Sequence, residues 1–448
     1  MPLAVPKILQ SLLGSPVAVF GGGVSGRAVA NLLGMIGARP EIYDRKSEAG
    51  QHDSFSSKEA AAHSLVVFSP GFRNEHPWLT TAAAAGCTCL CELDFASLFW
   101  AGRIVAITGT NGKTTLTEFI THALRHAGQQ AYGTGNIGYS FSSLIAETKG
   151  GSSGVTAVCE VSSFQAEAMS HFKADAIIWS NFAEDHLERH SGMASYFSAK
   201  NQLLLLSPDA VVVAGSSVGR YADRLNFTLP ADSLVESEGQ EADSRLEGTV
   251  FAEYPQRENF ILALAYWRKT GLAEADLYSA ARNFKLGRHR LARVAEIAGV
   301  GYWNDSKATN FHAVEAALSR FDSPVILIAG GKAKGGDHRA FVRRIAPRVK
   351  HAILIGDTKE ALAEGCRENR VPHSLYLTLD EAVAKASALA SSGDNVLLSP
   401  GFASFDMFSG YDHRGEVFET LVKHLAAAVA AQGKSFQHQS FAINTPRP

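Results

Sequence analysis

Residues 104–115 read Ile-Val-Ala-Ile-Thr-Gly-Thr-Asn-Gly-Lys-Thr-Thr, an apolar run that passes directly into a glycine-rich Gly-Lys-Thr loop. The run predicts a strand, the residues beyond it predict a helix, and a loop of this composition between them suits a nucleoside triphosphate. Gly109 and Gly112 let backbone N–H groups crowd around phosphate oxygens, and the following helix offers its positive N-terminal end. Lys113 has the reach to meet β- and γ-phosphates, and the Thr114 hydroxyl suits Mg²⁺. The first glycine of the general G-x-x-x-x-G-K-[ST] pattern would fall at Ile107, so the match to that pattern is partial. The expectation is a chain that binds ATP or GTP.

The bulk of the sequence narrows the class. A chain of 448 residues has room for several domains and a large core. Its net charge of −2 leaves no basic footprint, so nucleic acid is not an expected partner. No apolar run approaches the roughly 20 residues that span a bilayer, and the first residues lack a signal-peptide layout. Together these predict a cytoplasmic protein without membrane insertion. Cys87, Cys89 and Cys91 alternate, which invites a metal reading. Period-2 spacing puts them on one face of a strand, however, and no second Cys/His pair follows nearby, so buried strand cysteines are the better reading.

Working outward from the loop gives three α/β domains. Residues 16–20 form a strand that leads into Gly21-Gly22-Gly23-Val24-Ser25-Gly26, a helical pattern over 27–36, and a second strand ending at Asp44. Glycines for a tight turn, followed about twenty residues on by an acid for ribose hydroxyls, are the Rossmann layout. A further strand, 65–68, runs into Ser69-Pro70-Gly71, and we expect this N-terminal Rossmann-like domain over 1–98. Residues 99–287 read as a central P-loop ATP-binding domain with a mostly parallel sheet, its later strands at 155–161, 176–180 and 210–214. Within it, 215–248 is rich in Ser, Gly, Asp and Glu and reads as loops or short edge strands, while helices at 258–269 and 275–284 close the domain. Beyond a linker at Gly287-Arg288, residues 288–432 read as a C-terminal Rossmann-like domain. It opens on a hairpin (293–297 with 301–303), repeats strand–glycine–helix units, and ends in a helix over 416–431. The polar tail 433–448 is expected to be disordered.

Polar clusters fall where these strands end. Strand 155–161 closes on Glu160-Val161-Ser162-Ser163-Phe164-Gln165, and a carboxylate at a strand end in a P-loop sheet is where Mg²⁺ is commonly held. A capping or salt-bridged acid is the plainer alternative. The next strand leads into Asn181-Phe182-Ala183-Glu184-Asp185-His186. Farther on, Tyr196-Phe197-Ser198-Ala199-Lys200 places a lysine on a helix that otherwise offers core-like residues. From spacing alone, Lys200 reads as a solvated face residue.

Residues 108–115, 160–165, 181–186 and 196–200, in this order and spacing, resemble the Mur ligase family, ATP-dependent amide-bond-forming enzymes of peptidoglycan precursor synthesis. The likeness runs from Gly21 to about Phe418. It is strongest to the member that adds D-glutamate to UDP-N-acetylmuramoyl-L-alanine, through Gly135-Asn136-Ile137-Gly138, Asn304-Asp305-Ser306-Lys307-Ala308-Thr309-Asn310 and Ser399-Pro400-Gly401-Phe402-Ala403-Ser404-Phe405-Asp406. The arginine-bearing motif of the diaminopimelate- or lysine-adding member and the His-His-Pro motif of the L-alanine-adding one are both absent.

The resemblance implies roles position by position. Gly109, Thr110, Asn111, Gly112, Lys113, Thr114 and Thr115 would hold the ATP phosphates, and Thr114 with Glu160 would hold one Mg²⁺. His186 would bind a second Mg²⁺ together with Lys200, which in the family is carbamylated. An ammonium cannot ligate a metal, whereas a carbamate supplies an anionic oxygen. Lys113, His186 and Lys200 are thus the catalytic set. Asn259, the Arg290 of a His289-Arg290 pair, and Asp305 would serve the nucleotide, Asp305 at its ribose. Val24, Ser25, Asp44, Arg45 and Gly71 would surround uridine diphosphate, so that the first glycine fingerprint binds UDP and not NAD. Asn136 and Ser162 would meet the rest of the sugar nucleotide. Lys307, Thr309, Lys334, Ser404, Phe405 and Tyr411 would line the D-glutamate pocket, with Lys332 close enough in sequence to Lys334 to be an alternative. A monomer is expected.

The sequence also departs from the family pattern. The His-Asn pair expected three residues before Asn259 reads Pro255-Gln256, the acid expected after His289-Arg290 is Ala292, and an Asn-x-Asp-Asp turn is replaced by Ala214-Gly215-Ser216-Ser217. None of these removes a phosphate or metal ligand. Three other readings compete: a folylpolyglutamate synthetase-like ligase, which lacks the UDP-type first domain; an NAD-dependent oxidoreductase, which leaves the P-loop unexplained; and a silent nucleotide-binding protein, against which Lys113, Glu160, His186 and Lys200 argue.

Overall fold

The computed structural model describes residues 3–46 and 50–440, with side chains as far as residue 430. Three sheets organise it, in the α/β class expected. The first contains β1 (Val17–Phe20), β2 (Pro40–Tyr43), β3 (Leu65–Phe68) and β4 (Thr88–Cys91) in the order β2-β1-β3-β4, all parallel. The second contains β5 (Arg103–Thr108), β6 (Gln130–Gly135), β7 (Val155–Glu160), β8 (Ala176–Trp179), β9 (Val211–Gly215) and β10 (Leu234–Val235). Its order is β10-β9-β8-β5-β7-β6, again parallel. The third contains β11 (Ala292–Ile297), β12 (Val300–Asn304), β13 (Val325–Gly330), β14 (Val349–Ile355), β15 (His373–Leu375) and β16 (Asn395–Leu398). There β11 and β12 form the antiparallel hairpin, and β12-β16-β13-β14-β15 continue in parallel.

The strand sequences explain this architecture. β7 and β13 are buried at every position, as parallel strands covered on both faces must be. Alternation along β13 sends Val325, Leu327 and Ala329 into one core and Ile326 and Ile328 into the other, so one strand feeds two apolar layers. In the second sheet β5 lies between β8 and β7, and the strand order reverses about it. Ligands in such sheets bind outside the carboxyl ends of the strands near that reversal.

The chain divides into two compact units, Met1–Phe182 with Ser191–Lys285, and Ala183–His190 with Leu286–Pro448. In the first unit the short helix Glu92–Ser97 fastens the first two sheets to each other. Buried Asp94 accepts hydrogen bonds from the backbone N–H groups of Ser170, His171 and Phe172 and from the Ser170 hydroxyl at 2.7–2.9 Å. Beside it, Glu92 accepts from the Ser142 N–H at 2.7 Å. A buried carboxylate is tolerable only with such a set of donors.

Three sequence expectations change, and one strand, β15, was not foreseen. Residues 215–248 are not only loop and edge strand, since Ser216–Leu225 is a helix. Val218 and Ala222 are buried and Tyr221 and Leu225 pack against the core, an i, i+3, i+4, i+7 stripe concealed by the Ser, Gly, Arg and Asp between them. Short β15 carries no run long enough to announce itself. The last helix is Tyr411–Ser440, so 433–440 belong to it, and 441–448 lie outside the described residues. Of the three cysteines, Cys87 and Cys91 are buried but Cys89 is only half-buried. Burial raises the Cys89 thiol to about 11, and no cluster of three or more His, Cys, Asp or Glu side chains suited to a metal occurs among the described residues. No described helix is long and apolar enough to cross a membrane.

Glu258, on the helix Gln256–Lys269, gives a prediction. Burial and the nearby Glu238 raise its carboxyl to about 7, although Arg220 opposes the shift while pairing with Glu238 at 2.8 Å. A carboxyl whose folded pKa exceeds its unfolded one contributes stability that is present at acid pH and lost as pH rises toward about 7. Glu258→Gln should therefore melt a few degrees above the parent at pH 8 and lose that advantage at pH 5, as read by thermal denaturation at both pH values.

Candidate active site

The phosphate loop leaves β5 and turns into the helix Lys113–His126. Gly112 caps that helix with φ +81°, and Gly109 takes φ +145°, conformations open to glycine. A side chain at Gly109 would run into Ser180 Oγ, so the neighbouring strand end also demands a glycine there. The loop is held by the residues that follow β8. The Asn111 N–H donates to Asn181 Oδ1 at 2.8 Å, Asn181 Nδ2 donates to the Asn111 carbonyl at 3.1 Å, and the Thr110 N–H donates to the Asn181 carbonyl at 3.1 Å. Ser180 Oγ donates to the same Asn111 carbonyl at 2.6 Å. The spacing of the polar cluster 181–186 does not reveal that Ser180 and Asn181 shape the loop 70 residues away. A strand end followed by an asparagine was the available signal.

Two lysines meet the loop. Lys113 Nζ donates to the carbonyls of Gly109 at 2.9 Å and Thr110 at 2.7 Å. Lys200, on the helix Met193–Leu206, is 1 % exposed. The solvated-face reading of Lys200 is thereby corrected: the helix turns it inward, where Nζ donates to the Gly109 carbonyl at 2.8 Å and lies 4.9 Å from the Tyr196 ring centre. An ammonium in such a place needs acceptors to offset its desolvation, and the Gly109 carbonyl is one.

Glu160, the last residue of β7, is 2 % exposed. Its Oε1 accepts from Asn136 Nδ2 at 3.1 Å, and its Oε2 is buried with no hydrogen-bond partner among the described residues. A carboxylate oxygen left this way at the sheet's carboxyl edge, with the Thr114 hydroxyl on the first turn of the loop helix, fits a hard divalent cation. Asn259 is buried and faces Gly112. Ser162 caps the short helix Ser163–Ala166 and exchanges hydrogen bonds with Gln165. In the first sheet, the glycine turn is closed by Asp44, whose carboxylate accepts from the N–H groups of Gly22 at 2.8 Å and Lys46 at 2.9 Å. Those two bonds hold it below the usual carboxylate range. Val24, Arg45 and Gly71 are exposed around that turn and Ser25 is half-buried.

The second unit carries its own constellation. Asp185, Thr309, Asn310, Phe311, Lys334 and Phe402 line one pocket. Lys334 Nζ lies 3.4 Å from Thr309 Oγ1 and 3.7 Å from Asp185 Oδ1, and Asp185 Oδ2 accepts from Asn310 Nδ2 at 3.1 Å. Lys332, the alternative to Lys334, is exposed and does not line the pocket. Asp185 went unassigned in the sequence, yet it contacts both Lys334 and His186, the latter a left-handed residue (φ +56°) whose ring lies 3.6 Å from Asp185 and 3.3 Å from Glu188. Lys307 donates to Tyr411 Oη at 2.7 Å. Ser404 is buried and Phe405 is 69 % exposed, and neither lines that pocket. Asp305 accepts from Ser399 Oγ at 2.8 Å and the Leu291 N–H at 3.1 Å, and burial raises its carboxyl to about 7. Arg290 is half-buried beside it, and His289 Nδ1 meets Asn304 Nδ2 at 2.9 Å.

The clamp generates a prediction. Asn181→Ala removes a donor and an acceptor from the phosphate loop and should weaken binding of Mg-ADP about tenfold or more, at roughly one kcal/mol per lost hydrogen bond. Isothermal titration calorimetry checks it.

Comparison with known proteins follows the same lines. The description "Mur ligase middle domain" matches residues 107–260, and "Mur ligase, glutamate ligase domain" matches 289–402. The UDP-N-acetylmuramoylalanine–D-glutamate ligase of Geobacter metallireducens is 33% identical over 93% of this chain and 99% of its own length. That of Nitratidesulfovibrio vulgaris is 34% identical over 92% and 97%. Among solved structures, the UDP-N-acetylmuramate–alanine ligase of Thermotoga maritima shares the fold with a TM-score of 0.57, at 16% identity over 92% of this chain and all of that one. With near-full-length relatives above 30% identity and both domain descriptions matched, this chain belongs to the Mur ligase family of ATP-dependent ligases.

Proposed function

We propose that this enzyme joins D-glutamate to UDP-N-acetylmuramoyl-L-alanine at the expense of ATP, in peptidoglycan precursor synthesis, acting in the cytoplasm as a monomer. The observation that carries the reading is the near-full-length likeness to D-glutamate-adding ligases. The buried lysine and carboxylate around the phosphate loop support it. In the reaction, the alanyl carboxylate oxygen attacks the ATP γ-phosphorus and ADP leaves, forming an acyl phosphate. The D-glutamate nitrogen then attacks the acyl carbon, a proton leaves the nitrogen, and phosphate departs from the tetrahedral intermediate to give the amide.

The chain's own residues divide this work. The backbone N–H groups of the loop 109–112 cradle the phosphates, and Lys113 exchanges loop carbonyls for phosphate oxygens as charge gathers on the transferring group. Thr114 and Glu160 hold one Mg²⁺, and a carbamylated Lys200 and the His186 imidazole serve a second; bound Mg²⁺ supplies charge neutralisation. The turn 21–26 with Asp44 and Arg45 receives the uridine diphosphate, and Asn136 the sugar portion. In the second unit, Lys334 and Thr309 receive the side-chain carboxylate of D-glutamate, Lys307, Ser404, Phe405 and Tyr411, which lie outside the pocket around Lys334, contact the rest of the amino acid, and Arg290 and Asp305 serve the nucleotide.

Phosphate release with ATP and UDP-N-acetylmuramoyl-L-alanine, screened over single amino acids, tests the assignment. D-Glutamate should be the productive one, and Lys334→Ala should raise its KM at least tenfold while leaving the KM for ATP nearly unchanged. Preference for a diamino acid, or equal effects on both substrates, would overturn the pocket.

Carbamylation of Lys200 has a separate test. Native mass spectrometry under bicarbonate should show the added CO₂ of a carbamate, about 44 Da. Lys200→Ala should be nearly inactive, with partial rescue by a short carboxylic acid, and full activity with an unmodified lysine would refute the idea.

A further inference from the structure

We propose that Gln256 is a positioning residue for the phosphate loop, acting through Asn259 to set how tightly the nucleotide is held. The inference rests on the reading of 109–115 as the triphosphate site.

Gln256 and Asn259 stand one turn apart on the helix Gln256–Lys269, so their side chains share a face. Asn259 Nδ2 donates to Gln256 Oε1 at 2.8 Å. A carboxamide carries its donor and its acceptor on opposite arms, so tying down Nδ2 also fixes Oδ1. That oxygen faces Gly112 so closely that a Cβ there would stand 2.5 Å from it. Asn259 is 5 % exposed and cannot exchange this arrangement for water. Turning the amide over would press its NH₂ against Gly112 and set two carbonyl oxygens, Asn259 Oδ1 and Gln256 Oε1, against each other.

Gly112 is the left-handed cap of the helix that carries Lys113 and Thr114. A side chain that fixes Asn259 therefore bears on the turn from which both phosphate-facing residues start. The helix bearing Gln256 is anchored at both ends of this lever. Arg257 Nε donates to the Ala252 carbonyl at 3.0 Å and its Nη1 to the Gln240 carbonyl at 3.1 Å, while Phe260 packs on Phe119 of the loop helix with ring centres 5.9 Å apart. Gln256 supplies the acceptor that selects one orientation of Asn259.

The test uses Gln256→Met, which keeps length and volume but removes the acceptor, with Gln256→Ala as a second variant and melting curves to verify folding. Each should raise the KM for ATP and the Kd for Mg-ADP roughly three- to tenfold, the weight of one lost hydrogen bond. The kcat at saturating ATP and the KM for D-glutamate should stay within twofold of the parent. Placed in an Asn259→Ala background, Gln256→Met should add nothing further, because its effect passes through Asn259. An unchanged KM for ATP, an effect that simply adds to that of Asn259→Ala, or an equal rise in the KM for D-glutamate would overturn the proposal. Parent enzyme that binds no Mg-ADP would overturn the phosphate-loop reading itself, and this inference with it.

Discussion

The site depends on how a short loop with little secondary structure of its own is kept in one conformation. Backbone N–H groups can cradle phosphate only if their directions are set in advance, because reorienting dipoles at the moment of reaction forfeits most of their worth. Here the directions are set from outside the loop. Asn181 and Ser180, at the end of β8, bond to the backbone of Thr110 and Asn111, and Ser180 leaves room only for a glycine at position 109. The sheet order makes this possible. Because β5 and β8 are direct neighbours, the loop that leaves one emerges beside the residues that leave the other.

How much of this was legible in the sequence follows from how local each feature is. The strand, the glycines and the helix of 104–115 are contiguous, so their chemistry could be read from one stretch. So could the three sheets, whose buried strands are continuous apolar runs punctuated by glycine. The clamp from Asn181 was legible only as a polar residue at a strand end, and its partner 70 positions away was not. Lys200 was misread by spacing for a related reason. Helical periodicity tells which face a residue occupies, and it assumes that a charged residue marks the wet face, whereas this helix turns a lysine toward the carbonyl of Gly109. The helix Ser216–Leu225 failed in the opposite direction, because its four apolar residues were outnumbered by polar ones although their spacing was regular.

Asp94 and Glu92 show what the sequence could not rank. Nothing in the sequence sets these two acids apart, yet they are 0 % and 2 % exposed and spend their oxygens on backbone N–H groups of the connections around the second sheet, at Ser142 and at 170–172. This makes one compact unit of two sheets that the composition separates. A consequence is that the turn at Gly21–Gly26 and the loop at Gly109–Gly112 belong to a common packed body, with an uninterrupted core between their strands.

Three of the lysines in the proposed chemistry share one device. Lys113 rests on the carbonyls of Gly109 and Thr110, Lys200 on the carbonyl of Gly109, and Lys334 beside Asp185 and Thr309. In each case the cation has an oxygen acceptor from its own unit in place of part of its hydration shell. The cost of desolvating it is met when the protein folds, where hydrophobic burial can offset it, and not when substrate arrives. An incoming phosphate or carboxylate oxygen then competes with a carbonyl or a carboxylate and not with bulk water. For Lys113 the carbonyls of Gly109 and Thr110 are neutral acceptors, so exchanging them for an anionic ligand is favoured strongly. For Lys334 the partner is itself a carboxylate, so a ligand gains less from charge alone and must add shape and further hydrogen bonds to be held. That difference accords with the two tasks: a phosphate loop needs to hold any nucleoside triphosphate firmly, whereas an amino-acid pocket needs to reject anions that lack the right reach.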